Sequence, residues 1–136
     1  MYRYIGLLVV LLGFVGCQQV AGEGGKSSIK GQVLIDYRIV LTNPDSYQTT
    51  VPGADEDVFI IYGDHISPDD QIETNFDGEF EFRNLRPGDY TLYVYSSDTT
   101  GDPEAHPNRM PISVDVTIEN RNESIDLGIL RIYDKP

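Results

Sequence analysis

The sequence predicts an all-β sandwich of about seven strands in one domain, preceded by a signal peptide. Three observations predict it. Apolar residues recur with a period of two in several short runs, and helical periodicity is nearly absent. Turn dipeptides fall between those runs. An apolar stretch at Ile5–Val15 stands apart from everything that follows.

In the first run, Ile29, Gly31, Val33 and Ile35 share a face, with Lys30 and Gln32 opposite. Asp57–Tyr62 is apolar on both faces, which suits a strand covered on both sides. Gln71–Phe76 and Gly78–Arg83 flank Asp77-Gly78, a dipeptide that predicts a type I′ hairpin between them. Phe80 and Phe82 point inward, and Glu79, Glu81 and Arg83 outward. Pro87-Gly88 turns the chain into a strand in which Tyr90, Leu92 and Val94 alternate with Thr91, Tyr93 and Tyr95. Ile112, Val114, Val116 and Ile118 alternate with Ser113, Asp115, Thr117 and Glu119. A last strand, about Ile125–Tyr133, loses its alternation near Gly128, where a bulge is expected. Such a series of short strands and turns indicates a sandwich with an antiparallel core. Two connections are long: Tyr37–Pro52, whose Ile39-Val40-Leu41 extends the first strand, and the polar Ser96–Pro111.

The N-terminal segment reads as an address. Arg3 precedes an eleven-residue apolar run, well short of the ~20 residues a membrane-spanning helix needs. A charged start, a short apolar run and a small residue before the cut describe a secretory signal peptide. Phe14-Val15-Gly16-Cys17 resembles the bacterial lipobox, in which the cysteine is diacylated and becomes the mature N-terminus, although Phe14 stands where leucine is usual. Cys17 is the chain's single cysteine, so it cannot form an internal disulfide. The resemblance implies lipidation at Cys17 and attachment to a membrane, stable because two or three acyl chains are carried. Gln18 in place of aspartate favours the outer membrane. The expected organisation is therefore a signal peptide over 1–16, a Gly-rich flexible tether over 17–28 and the sandwich over 29–136.

Charge narrows the partners. The chain carries 22 acidic and 10 basic residues, a net −12, and removal of the leader takes away Arg3 and no acid. Such a surface repels phosphate backbones, which excludes nucleic acid as partner and argues against a basic membrane-binding face. The composition, 40% hydrophobic with nine Tyr, five Phe and no Trp, is that of a folded body.

The segment Thr74 to Leu92 resembles the carboxypeptidase regulatory-like family, whose domains read Thr, then Asp-Gly-x-Phe, then Leu-x-Pro-Gly-x-Tyr-x-Leu. Here those positions are Thr74, Asp77-Gly78 with Phe80, and Leu85 with Pro87-Gly88, Tyr90 and Leu92. Ile29–Val33, Pro52-Gly53-Ala54-Asp55 and Ile125–Gly128 resemble its opening strand, turn and closing strand. The resemblance implies a Greek-key, prealbumin-like or Ig-like sandwich, and it implies no catalytic residues. Tyr90 is expected to bury its ring and bond nearby backbone through its hydroxyl.

Catalytic chemistry needs a nucleophile or metal, a proton shuttle and a geometry joining them. His65 reads as a polar loop residue. His106 with Asp102 and Glu104 could ligate a transition metal, but the spacing matches no known site. No catalytic residue, cofactor or metal site is assigned. Acids at Asp55-Glu56-Asp57, Asp69-Asp70 and Asp98/Asp102/Glu104 make calcium the one ion worth weighing. The expected function is a lipid-anchored, non-catalytic accessory or interaction module of the cell envelope, with a protein or glycan partner. The alternative is a carbohydrate- or calcium-dependent binding module on the cell surface. Tyr93 and Tyr95, outward by alternation, form its candidate ligand surface, and cross-strand packing would account for the same rings. Intact mass spectrometry of the native protein should show loss of residues 1–16 and a gain of acyl mass that Cys17→Ser abolishes; an unmodified leading residue would refute the anchor.

Overall fold

Alternation becomes strand almost wherever the sequence places it, because each run can bury one face and expose the other. The computed structural model describes residues 20–38, 48–97 and 109–134. Residues 1–19, 39–47, 98–108 and 135–136 lie outside the described residues, and with them Cys17, the signal peptide, Ile39–Leu41, Asp98, Asp102, Glu104 and His106. The strands are β1 (Glu23–Arg38), β2 (Gln48–Pro52), β3 (Asp57–Tyr62), β4 (Asp70–Glu73), β5 (Glu79–Leu85), β6 (Gly88–Ser97), β7 (Arg109–Ile118) and β8 (Ser124–Asp134).

They form two four-stranded sheets. In the first, one edge of β1 pairs antiparallel with β5 over Glu23–Gln32 and with β2 over Leu34–Arg38. Its other edge pairs with β8 from Ser28 to Tyr37, and that pair is parallel. The second sheet runs β4-β3-β6-β7 and is antiparallel throughout. The connections β2–β3, β4–β5, β5–β6 and β7–β8 each carry the chain from one sheet to the other. The parallel pair departs from the antiparallel core expected. Its cause is the β7–β8 crossing, which frees β8 from any hairpin partner that would fix its direction.

The core lies between the sheets. Ile29, Val33 and Ile35 of β1, Phe80, Phe82 and Leu85 of β5, and Leu130 and Ile132 of β8 face Val58, Ile60, Tyr90, Leu92, Val94 and Ile118 of the second sheet, all buried. Burial of each such side chain stabilises the fold by about 1.5–3 kcal/mol. A two-layer sandwich covers only one face of each sheet, so β3 is not covered on both sides as its composition suggested. Val58 and Ile60 are fully buried, whereas Phe59 and Ile61 are half-exposed on the outside.

Three backbone features explain the glycines that matter: a turn, a bulge and a close approach. Asp77-Gly78 turns the chain, with Asn75 Oδ1 accepting from the backbone N–H of Asp77 and Glu79 at 3.0 and 2.9 Å. It links β4 to β5 in different sheets, however, so it is not the type I′ hairpin expected. Gly78 alone of the two has positive φ, +76°. A Cβ there would stand 2.3 Å from the Val33 carbonyl oxygen. The bulge expected near Gly128 is present: β1 advances from Lys30 to Gln32 while β8 advances from Asp126 to Ile129. The third case corrects the tether. Residues 23–28 belong to β1, and a Cβ on Gly25 would lie 1.9 Å from the Leu85 carbonyl oxygen. Gly25 serves this close approach, and Gly24 supplies a positive φ of +104°.

Buried hydroxyls hold the crossings. Thr74 Oγ1 donates to the Gly53 carbonyl at 2.5 Å and accepts from the Glu56 N–H at 2.9 Å, which fixes the β2–β3 turn against β4. Ser27 Oγ donates to the Asn120 carbonyl and accepts from the Glu123 N–H, tying β1 to the β7–β8 turn. Tyr90 is 1% exposed. Its hydroxyl donates to the Arg86 carbonyl at 2.6 Å and accepts from the Gly22 N–H at 2.9 Å. Tyr90→Phe leaves both backbone groups without that partner and should cost about 1–3 kcal/mol, read as a clear fall in Tm; an unchanged Tm would show the hydroxyl to be idle.

Candidate functional site

The outer face of the second sheet brings together the sequence-predicted Tyr93 and Tyr95. Both alternate with buried Leu92 and Val94, and Tyr95 is 41% exposed. The structure adds a third ring, Phe59, which pairs across strands with Tyr93. Phe59 and Tyr93 stack with centroids 4.9 Å apart and planes 13° apart. Tyr95 meets both edge-on, 5.7 Å from Phe59 and 5.5 Å from Tyr93. Such geometries suit the quadrupoles of the rings. The result is a packed aromatic patch that keeps one ring open to solvent.

Along β6 the patch passes directly into a polar trough. Thr91 Oγ1 donates to Asp115 Oδ1, and Thr117 Oγ1 donates to Asp89 Oδ1, both at 2.7 Å. These residues line a shallow depression of about 350 Å³. Gln71 and Ser113 flank the Phe59–Tyr93 pair on β4 and β7, while Glu73 lies across from Asp57. One face thus offers flat apolar rings beside a row of hydroxyls and carboxylates.

The outer face of the first sheet is different in kind. A shallow groove of about 570 Å³ runs past Lys30, Glu81, Arg83 and Asp126. Two ion pairs cross it, Lys30–Asp126 at 4.0 Å and Arg83–Glu81 at 2.6 Å. Lys30 faces solvent, as its alternation with Ile29 and Gly31 requires.

His65 lies on an exposed turn, where Nδ1 is 2.8 Å from Asp69 Oδ1. The other oxygen of Asp69 accepts from the Tyr62 N–H, and that bond, with the imidazole, holds the carboxyl below its ordinary range. Among the described residues, no three His, Cys, Asp or Glu side chains are placed to hold a metal ion. Asp55, Glu56 and Asp57 do not converge with Asp69 and Asp70. Alternation was enough to find Tyr93 and Tyr95. It missed Phe59, because a strand apolar on both faces reads as doubly buried.

A family profile described as the Y_Y_Y domain matches residues 54–115, from the turn before β3 into β7. The carboxypeptidase regulatory-like family is not matched. Among solved structures, the chain is similar to a candidate carbohydrate-binding protein from Pseudomonas aeruginosa. Identity is 10% and the TM-score 0.46, over 84% of this chain and 92% of that one. It is also similar to an (S)-allantoin synthase, 13% identical with a TM-score of 0.39, over 81% of this chain and 43% of that one. No curated protein matches. Likenesses this distant do not identify a ligand.

The tyrosines of the second sheet make an alkaline titration informative. Burial first, then the nearby charges of Glu23, Asp70 and Asp69, push Tyr62 up to about 12. Burial also raises Tyr90, and burial together with Tyr95 raises Tyr93. The unfolded chain releases these protons first, from about pH 10. The stability they contribute is therefore complete below pH 10 and lost as pH rises toward 12. Denaturant midpoints should hold to about pH 9.5 and then fall, with tyrosinate absorbance appearing in a late step; a single unshifted titration near pH 10 would contradict this.

Proposed function

We propose that this chain is a non-catalytic binding module of the cell envelope, held there by acyl groups on Cys17, which takes a glycan on the outer face of its second sheet. The observation that carries the reading is the row Tyr95, Tyr93, Thr91, Asp89 along β6, with Phe59 and Asp115 beside it. A sugar ring presents a C–H face that packs on an aromatic ring and a rim of hydroxyls that needs donors and acceptors. The row supplies both in sequence, on a rigid strand instead of a loop. The carboxypeptidase regulatory-like pattern of Thr74–Leu92 is compatible, since its matched positions are turn and core.

Packing alone could account for Phe59 and Tyr93, which shield each other. It does not account for the exposure of Tyr95 or for the polar trough continuing from it. An accessory role toward an envelope protein is the second reading, favoured by the same exposed patch, because aromatic anchors are also what protein interfaces use.

The test is a glycan array probed with the full-length lipidated protein in nanodiscs. Retention on a subset of glycans is expected, and Tyr95→Ala should weaken it at least about tenfold, some 1.4 kcal/mol, with the strand circular-dichroism signal retained. Retention indifferent to Tyr95, or none on any glycan, would overturn the glycan reading. A reproducible envelope protein captured only by the chain with Tyr95 intact would favour the second.

A further inference from the structure

The overall charge conceals one end of the molecule. Strand directions bring the start of β1, the ends of β5 and β7 and the starts of β6 and β8 to a single pole. There Gly24 and Lys26 of β1, Arg86 and Pro87 before β6, and Arg121 and Asn122 before β8 line a cleft of about 470 Å³. Three cations elsewhere on the surface are paired: Lys30 with Asp126, Arg83 with Glu81, Arg131 with Asp36. Lys26, Arg86 and Arg121 have no carboxylate partner among the described residues. Arg86 Nε donates to the Glu23 carbonyl at 2.5 Å, which fixes the side chain over β1 without neutralising it.

Among the described residues, the carboxylates of the same end form no ion pair with these three cations. Glu123 Oε2 accepts from the N–H groups of Glu119 and Asn120. Asp89 accepts from Thr117, Asp69 from Tyr62, and the charge of Glu23 is felt at Tyr62. Acids at the other pole, around Asp55–Asp57 and Glu73, stand a strand's length away, roughly 20 Å for six residues. That exceeds the ~8 Å over which charges act at physiological ionic strength.

Chain length supplies the second observation. Cys17 precedes Val20 by three residues, which span at most about 11 Å. Val20 is 67% exposed and enters β1 through Ala21 and Gly22 at this pole. Acyl groups on Cys17 would therefore hold the cleft at the headgroup layer.

We propose that this pole docks on the membrane surface, with Lys26, Arg86 and Arg121 receiving the phosphates of anionic lipid headgroups. The inference rests on the lipid-anchor reading above and extends it from attachment to orientation. Guanidinium groups fork onto phosphate oxygens, and lysine adds a point charge. Docking at this pole points Tyr95 away from the bilayer.

The test uses the full-length lipidated protein with a nitroxide at Asn122→Cys. It is reconstituted into vesicles of phosphatidylcholine alone, or with about 30% phosphatidylglycerol. Accessibility of the label to an aqueous nickel chelate should drop on the anionic vesicles. It should recover in roughly 0.5 M salt and in the exposed-residue double variant Lys26→Glu/Arg121→Glu, whose Tm serves as the folding control. Protein that floats with both vesicle types but shows equal accessibility on them, or no response to charge reversal, overturns docking and leaves the anchor standing. Protein that floats with neither overturns the anchor and this proposal with it.

Discussion

The close approach of the glycine segment before Lys26 to the end of β5 is the contact on which the rest of the architecture depends. Two backbones meet there with no room for a side chain between them, Gly25 lying against the Leu85 carbonyl. Tyr90 then closes the contact from the opposite sheet through Gly22 and Arg86. Arg86 returns a backbone bond to the Gly22 carbonyl at 2.8 Å. One hydroxyl thereby joins β1, the β5–β6 crossing and β6. Hydrogen bonds of this kind contribute little individually, about 1 kcal/mol each. Here they matter because a single residue fastens the entry to β1 against the opposite sheet.

The second sheet shows how a half-covered surface can be stable and still open. Phe59 and Tyr93 stack and remove much of each other's apolar area from water. Thr91 and Thr117 satisfy the carboxylates beside them. What remains exposed is one ring and a line of oxygen atoms whose lone pairs are only partly used. The first sheet instead carries two ion pairs across its outer groove, so the two outer faces differ in kind.

Period two carried most of the fold from sequence alone. Ile29, Val33, Phe80, Phe82, Leu92 and Val94 are buried where alternation puts them, and the break at Gly128 is a bulge. What was not legible is non-local. Asp77-Gly78 announces a turn, but nothing in a dipeptide says whether the strands it joins pair with each other. Glycine enrichment cannot distinguish a loose tether from a backbone packed against another backbone, and residues 23–28 are the latter. The parallel β1–β8 pair has no local signal at all. At the aromatic patch the two tyrosines were visible through alternation, and Phe59 was hidden by its apolar neighbours. The three polar-end cations are invisible for a different reason: they are scattered at positions 26, 86 and 121, and a bulk count of charge averages them away.

The parallel pairing of β1 with β8 has a mechanical consequence. The two strands run the same way, so Glu23 and Asp134 lie at opposite ends of the ladder, which runs from Ser28 to Tyr37 with one bulge at Gly128. Tension applied between those two ends slides one strand along the other instead of peeling them apart. Every rung then shares the load, and separation demands that many bonds break together. Hairpin geometry would have let the same bonds open one after another. Pulled between Glu23 and Asp134, this sheet is loaded in shear.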